Sequence, residues 1–277
     1  MDRKRLTITL KKSILSAVDD VTDGTRIRNR SHAIEYLITQ SLTPKISHAV
    51  ILAGGPGLKM RPFTYEMPKS LFPVAGRPLL DYTLELLRKQ DIRNVVIVIS
   101  HLGEKIREYV GSGKKYGLSI DYVKEVKPMG TAGALRDVQK HLSASSFLVL
   151  HGDVLVDTDL SDLIAFHKNQ EVVATIALTS VVDPSIYGSV RLHGAKIVDF
   201  IEKPKKDKQV SQLINSGVYI FEPEIFKYIP TKGVYLLEDI FPRLAREKKL
   251  AGFSFEGQWF DIGTPASYER AIKEWKP

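Results

Sequence analysis

Leu52-Ala-Gly-Gly-Pro-Gly-Leu-Lys-Met-Arg-Pro-Phe-Thr-Tyr-Glu-Met-Pro-Lys69 is the stretch that decides how this chain reads. The run before it, His48-Ala-Val-Ile-Leu-Ala53, is apolar and short, which predicts a buried strand. Gly54, Gly55 and Gly57 then make a loop with few side chains in the way, so backbone N–H groups can approach phosphate oxygens. Lys59, Arg61 and Lys69 place positive charge in the same loop. A strand opening into a glycine-rich, cationic loop suits a nucleoside triphosphate.

Two common phosphate loops fail on spacing. A Walker A loop needs Gly-Lys-Ser/Thr after its glycines, and none follows here. A dinucleotide fingerprint needs a third glycine three residues after the second, and from Gly57 that position is Met60.

Outward from the loop, the pattern continues through Pro62, Pro68-Lys69 and Pro73-Val-Ala-Gly-Arg-Pro78. Taken together these residues resemble the sugar-1-phosphate nucleotidyltransferases, also called NDP-sugar pyrophosphorylases. That family's loop reads roughly Gly-Gly-x-Gly-Thr-Arg-Leu-x-Pro-Leu-Thr, then Pro-Lys, then Pro-Val. The resemblance covers about residues 48–274.

The resemblance implies transfer of a nucleotidyl group from an NTP to a sugar 1-phosphate, with pyrophosphate leaving. Such chemistry needs cations on the triphosphate and carboxylates on Mg²⁺. Lys59 and Lys69 are the expected catalytic cations; Leu52, Ala53, Gly54, Gly55, Gly57 and Gly130 are the expected nucleotide contacts. Gly130 lies in Glu125-Val-Lys-Pro-Met-Gly-Thr-Ala-Gly-Ala-Leu135, which resembles the family segment that approaches base and ribose. A plainer reading of that segment is a helix start with Thr131 as its cap. The family's metal-holding aspartates correspond to Asp153, in Leu-His-Gly-Asp-Val, and Asp261, in Trp-Phe-Asp-Ile-Gly-Thr-Pro. Oxygen ligands of this kind suit Mg²⁺. Sugar phosphate contacts are expected from Tyr187-Gly188, Glu202-Lys203 and Asn215. Compact size and the Gly-Thr-Ala-Gly-Ala-Leu form look most like mannose-1-phosphate guanylyltransferases, with glucose-1-phosphate uridylyl- or thymidylyltransferases close.

Two departures stand out. Leu58-Lys59 replaces the family's Thr-Arg, which keeps the charge and loses the bidentate fork. His151 stands where the family usually has asparagine. The first departure keeps open a domain that senses a nucleotide or sugar nucleotide without turnover. A choline-phosphate-type cytidylyltransferase is the weakest reading, because no aromatic or acidic pocket for a quaternary cation is legible.

Residues 78–90 read as a helix, 94–100 as an apolar strand, 103–110 as a helix and 118–124 as a strand; 130–140 and 146–150 follow as helix and strand. This alternation predicts a doubly wound mixed sheet of Rossmann-like type. Strands are expected at 171–180, 188–192, 196–202 and 216–221, with helices near 223–228, 238–248 and 265–274.

The first 44 residues read as a separate module, and 48–277 as the nucleotidyltransferase domain. Leu6, Ile8 and Leu10 alternate with Arg5, Thr7 and Thr9, a strand pattern. Two short helices follow, at 12–22 and from near Asn29 or Ser31 to Leu42, where Pro44 stops the second. One strand and two helices cannot bury a core alone. The arrangement resembles the ribbon–helix–helix DNA-binding family, in which strands from two chains pair and enter the major groove. That likeness implies at least a homodimer, base readout by Arg5, Thr7 and Thr9, and phosphate contact around Asn29, Arg30 and Ser31. A dimerisation handle without DNA is the plainer alternative.

Nine lysines and arginines against five acids in residues 1–45 carry +4 of the chain's net charge of +8, which favours a polyanionic partner there. There are no cysteines among the 277 residues, so thiolate metal sites and disulfides are excluded. No apolar run approaches the roughly 20 residues of a membrane span. A charged start without a signal-type apolar segment makes a cytoplasmic location the expectation.

Overall fold

The computed structural model describes residues 7–25, 27–42, 46–205 and 210–277. They divide into two compact units, Met1–Lys45 and Ile46–Pro277.

In the smaller unit, α1 (Lys12–Val21) and α2 (Arg30–Leu42) bury Val18, Ile27 and Ala33 between them. The turn between the helices is held by Asp23, whose carboxylate accepts from the N–H groups of Thr25 (2.8 Å) and Ile27 (2.9 Å). Asn29 accepts the His32 N–H at 3.0 Å, an N-cap for α2. Arg30 forks onto both oxygens of Asp19, at 2.6 and 2.7 Å. Thr7–Leu10 are in no strand in this single chain, and Arg5 lies outside the described residues. A strand needs a neighbour for its ladder, and the smaller unit supplies none among its described residues.

The larger unit begins with β1 (His48–Leu52), a short ribbon of β2 (Pro73–Val74) and β3 (Arg77–Pro78), and α3 (Leu79–Lys89). Then come β4 (Asn94–Ile99), α4 (Gly103–Val110), β5 (Ser119–Lys124), α5 (Gly130–Val138), β6 (Phe147–His151) and β7 (Val154–Val156). The chain continues through α6 (Leu160–Lys168), β8 (Ala174–Ser180), β9 (Gly188–His193), β10 (Lys196–Glu202) and β11 (Leu213–Phe221). It finishes with α7 (Leu237–Arg246), β12 (Leu250–Ser254), β13 (Trp259–Asp261) and α8 (Pro265–Glu274).

Among the described residues, nine strands form one sheet in the order β5-β4-β1-β6-β11-β8-β12-β10-β9. The first four run parallel; β11 joins β6 and β8 antiparallel. Alternate residues of β1 and β6 feed opposite cores: Val50 and Val149 on one face, Ala49, Ile51, Leu148 and Leu150 on the other. α5 and α7 cover the first face, α3, α4 and α6 the second. Parallel strands covered on both faces read as continuous apolar runs, which is why the doubly wound half was legible.

Several elements were not foreseen. α6 starts on Asp159, whose carboxylate accepts the Ser161 N–H at 2.8 Å, and buries Leu160, Leu163 and His167. β7 and β13 have three residues each, too few for any periodicity. β12 was also missed, and the expected helix at 223–228 is a 3-10 turn, Pro223–Lys227.

Candidate active site

β1 lies where the chain order reverses: it leaves to β4 and β5 on one side and returns to β6 on the other. Loops at the carboxyl ends on either side of such a point form a crevice. The glycine loop follows β1 there, and Asp153 follows β6. Two bonds tie the loops together: Ala53 N–H donates to Val98 O, and Gly152 N–H to Leu52 O, both at 2.9 Å.

The three glycines of the loop answer different needs. A Cβ at Gly54 would stand 2.5 Å from Glu125 Oε2. Gly57 has φ 61°, and a Cβ there would meet Thr64 at 2.6 Å and the Lys69 side chain at 3.2 Å. Gly55 is exposed, outside the left-handed region, and a Cβ would meet nothing within 4 Å. The fold supplies no reason for a glycine at position 55.

Pro68 leads into the 3-10 turn Lys69–Leu71, and the Lys69 ammonium pairs with Asp153 Oδ2. Asp153 sits in the turn between β6 and β7. β7 pairs antiparallel with β13, setting Asp261 opposite Val154, and Ile262 N–H donates to the Asp153 carbonyl at 3.0 Å. Two carboxylates distant in sequence thus become neighbours. Burial, and then repulsion from Asp153, push the Asp261 carboxyl up to about 6. Burial is the strongest single influence on Asp153 and works against its charge, but Lys69 and His151 together outweigh it and hold that carboxyl below its ordinary range. Lys69 is likewise buried, and the two aspartates hold its ammonium above its ordinary value.

These residues fit a divalent cation. Lys69 already stands as a positive charge against a pair of hard-oxygen donors that repel one another. No cluster of three or more candidate ligands exists among the described residues. Two carboxylates, with the remaining positions left to phosphate and water, is how Mg²⁺ is usually held.

Two cavities meet at Asp153. The first, about 240 Å³, is lined by Leu52, Ala53, Gly54, Gly55, Lys69, Glu125, Gly130 and Asp153 among others. The second, about 250 Å³, is lined by Tyr187, Gly188, Glu202, Lys203, Asn215, Asp153 and Asp261 among others. His151 and Leu236 line both. The expected nucleotide set apart from Gly57, and the whole expected sugar phosphate set, therefore converge on two adjoining hollows. Lys59 does not join them: it is exposed on the turn Leu58–Met60 and lines neither cavity.

Gly130 has a structural reason of its own. With φ 76° it passes so close to Tyr235 that a Cβ would lie 2.3 Å from that carbonyl oxygen. The Tyr235 carbonyl accepts from the N–H groups of Ala132 (3.0 Å) and Gly133 (3.3 Å), closing the first turn of α5. Thr131 does not cap its own helix. Its hydroxyl accepts the Leu237 N–H at 2.8 Å, the first residue of α7.

Lys203 adopts φ 46°, a left-handed conformation costly for a lysine. Its N–H bonds Tyr187 O at 2.9 Å, and its ammonium pairs with Glu202 at 2.9 Å. Glu238, unforeseen, lines the same hollow; burial first, and Glu202 besides, raise its pKa. Asn215 donates to Glu238 (3.3 Å) and to the Tyr219 hydroxyl (2.9 Å), which lies 3.3 Å from His151 Nε2. Glu125, also unforeseen, accepts the Met129 N–H at 3.2 Å, and burial raises its pKa. A single glutamate beside a motif carries no signal that sequence reading can use.

The nucleotidyl transferase family model matches residues 48–276, and the chain belongs to that family. Its relatives are named sugar-1-phosphate nucleotidyltransferases. It is 35% identical over 241 residues to UTP–glucose-1-phosphate uridylyltransferase of Synechocystis sp., covering 81% of this chain and 62% of that one. It is 36% identical over 226 residues to the catalytic subunit beta of mannose-1-phosphate guanylyltransferase of Drosophila melanogaster, covering 80% and 61%. The chain thus spans about three-fifths of the length of these relatives. A Bacillus anthracis protein described as a glucose-1-phosphate thymidylyltransferase, solved with sucrose, superposes with a TM-score of 0.76 at 29% identity, covering 82% and 94%. UDP-glucose pyrophosphorylase, at 21% identity and a TM-score of 0.71, covering 82% and 97%, shares the fold. No helix among the described residues is long and apolar enough to cross a membrane.

Proposed function

We propose that the larger unit transfers a nucleotidyl group from an NTP to a sugar 1-phosphate, giving an NDP-sugar and pyrophosphate. The observation that carries this reading is the meeting of two cavities at Asp153 and Asp261, beside Lys69 and a glycine loop. In it the triphosphate lies along Gly54 and Gly55 with Lys69 neutralising its charge, and the sugar phosphate lies by Tyr187, Gly188 and Lys203. Glu202, Glu238 and Asn215 accept from sugar hydroxyls. The sugar phosphate oxygen then faces the α-phosphorus across Asp153, and holding the two anions in line is most of the catalytic task. Asp153 and Asp261 would hold Mg²⁺, which supplies positive charge to the phosphates when bound.

Glu125 favours guanine. A carboxylate accepts only, and guanine offers two donors on one edge, N1–H and N2–H, where uracil or thymine offers N3–H alone. Incubation with Mg²⁺ and panels of NTPs and sugar 1-phosphates, read by pyrophosphate release, tests the reading. No release with any pair would remove it.

Gly55→Ala gives a sharper check. Because a Cβ there meets nothing, the variant is expected to melt at or slightly above the wild-type temperature. Nucleotide affinity should fall about 10–100-fold, since the methyl stands where phosphate must approach the backbone. Unchanged affinity would detach the glycine loop from the nucleotide.

The smaller unit we read as a dimerising, DNA-binding module. Ile8, Ile14, Leu37 and Ile38 are exposed in the single chain, apolar surface that a second copy would cover, and Thr7 and Thr9 are exposed beside them. Arg30 is committed to Asp19 and Asn29 to its own helix, so Ser31 and the helix start carry the phosphate contact in this reading. Light scattering for the dimer and selection from random duplexes for an operator test it. A second reading, a sensor without turnover, rests on Leu58-Lys59 and on the exposed position of Lys59; it requires nucleotide-dependent operator affinity.

A further inference from the structure

Two buried side-chain polar atoms among the described residues have no hydrogen-bond partner: Ser70 Oγ and Trp275 Nε1. A buried donor left unbonded costs stability, so each one calls for a reason. Trp275 sits in an aromatic cluster, 5.5 Å centroid to centroid from Tyr82 and 6.2 Å from Phe260, both edge-on. Ser70 is different. It follows Lys69 directly, is 3% exposed, and lines the nucleotide cavity with Gly54, Gly55 and Asp153. Alanine would fill the same space without an orphaned hydroxyl. The free protein therefore gains nothing from the oxygen.

We propose that the Ser70 hydroxyl donates to a phosphate oxygen of the bound nucleotide, beside the Lys69 ammonium. A hydroxyl beside a lysine and glycine-loop backbone matches a polyphosphate, whose oxygens accept several donors at once. Glu125 and Gly130, which the reading above gives to the base, line the same cavity. The inference rests on the nucleotide reading of that cavity and adds a residue whose job is to grip the phosphate tail.

Ser70→Ala tests it by calorimetric binding of GTP, inorganic tripolyphosphate and guanosine, with thermal melting of the free protein alongside. The expected result is a loss of about 5–20-fold for GTP and tripolyphosphate alike, with guanosine unchanged. The ligand-free melting temperature should stay level or rise, because the substitution removes an unbonded polar group. Unchanged tripolyphosphate affinity overturns the inference while leaving the nucleotide reading in place. So does a fall in melting temperature, or a failure to fold, since either would make the hydroxyl structural. Wild-type protein that binds neither GTP nor tripolyphosphate would overturn the nucleotide reading and this inference together.

Discussion

Lys69→Ala is expected to lower kcat for nucleotidyl transfer about 10²–10³-fold, the scale of removing one preorganised charge from a reacting anion. Lys69 is buried against Asp153 with Asp261 close by; Lys59 stands exposed outside both cavities, and Lys203, which lines the second, is paired with Glu202. A second consequence separates this from simple misfolding. Without the ammonium, Asp153 loses its partner, at a cost of about 3 kcal/mol, the lower end for a buried pair. A divalent cation can replace that charge. The variant should therefore melt lower than wild type without Mg²⁺ and recover more than wild type when Mg²⁺ is added. Equal melting shifts in the two proteins would show that Lys69 and the metal do not share a site.

Asp261→Asn should have the opposite effect on stability and a larger one on turnover. The Asp261 carboxyl titrates at about 6 in the folded protein, against 3.8 ordinarily. Between about pH 4 and 6 the folded state keeps a proton there that the unfolded chain has released, so stability falls as pH rises through that window. At neutral pH the metal-free protein thus carries a penalty of order 3 kcal/mol at this one group. Asparagine removes the charge and keeps the acceptor for the Gly263 N–H, which bonds Asp261 Oδ1 at 2.8 Å. The metal-free variant is expected to melt higher than wild type at pH 7.5, with the gap closing by pH 4. Activity should fall at least about 10³-fold, because half of the carboxylate charge proposed to hold Mg²⁺ is gone. A variant that melts lower at pH 7.5, or retains a tenth of wild-type turnover, would refute the pairing of these carboxylates.

Both predictions turn on contacts that sequence motifs announced separately and could not join. The Pro68-Lys69, His-Gly-Asp153 and Trp-x-Asp261 motifs were each readable, and the fold brings the three side chains together. Their convergence depends on two three-residue strands, β7 and β13, whose pairing sets Asp261 beside Asp153. Pairing that short leaves no periodic trace. Glu125 and Glu238 were missed for a related reason: their importance comes from burial and from facing a hollow, and a lone glutamate in sequence looks like any solvated one. Gly130 shows the reverse case. Its place in a motif suggested a ligand contact, and the structure adds a steric need, because the Tyr235 carbonyl leaves no room for a Cβ.

The sequence by itself determined the doubly wound half of the larger unit, since strands buried on both faces and helices with one apolar stripe each impose a period on the chain. It also marked out the glycine-rich, cationic loop on which the proposed phosphate contact rests, because glycines beside lysines suit phosphate by local chemistry. Only the tertiary structure decided that Lys59 stays outside, that Ser70 carries an unbonded hydroxyl, and that Asp261 holds its proton to about pH 6. Those properties belong to distances between residues far apart in the chain, and to the exclusion of water from the space they share, which no local pattern of residues encodes.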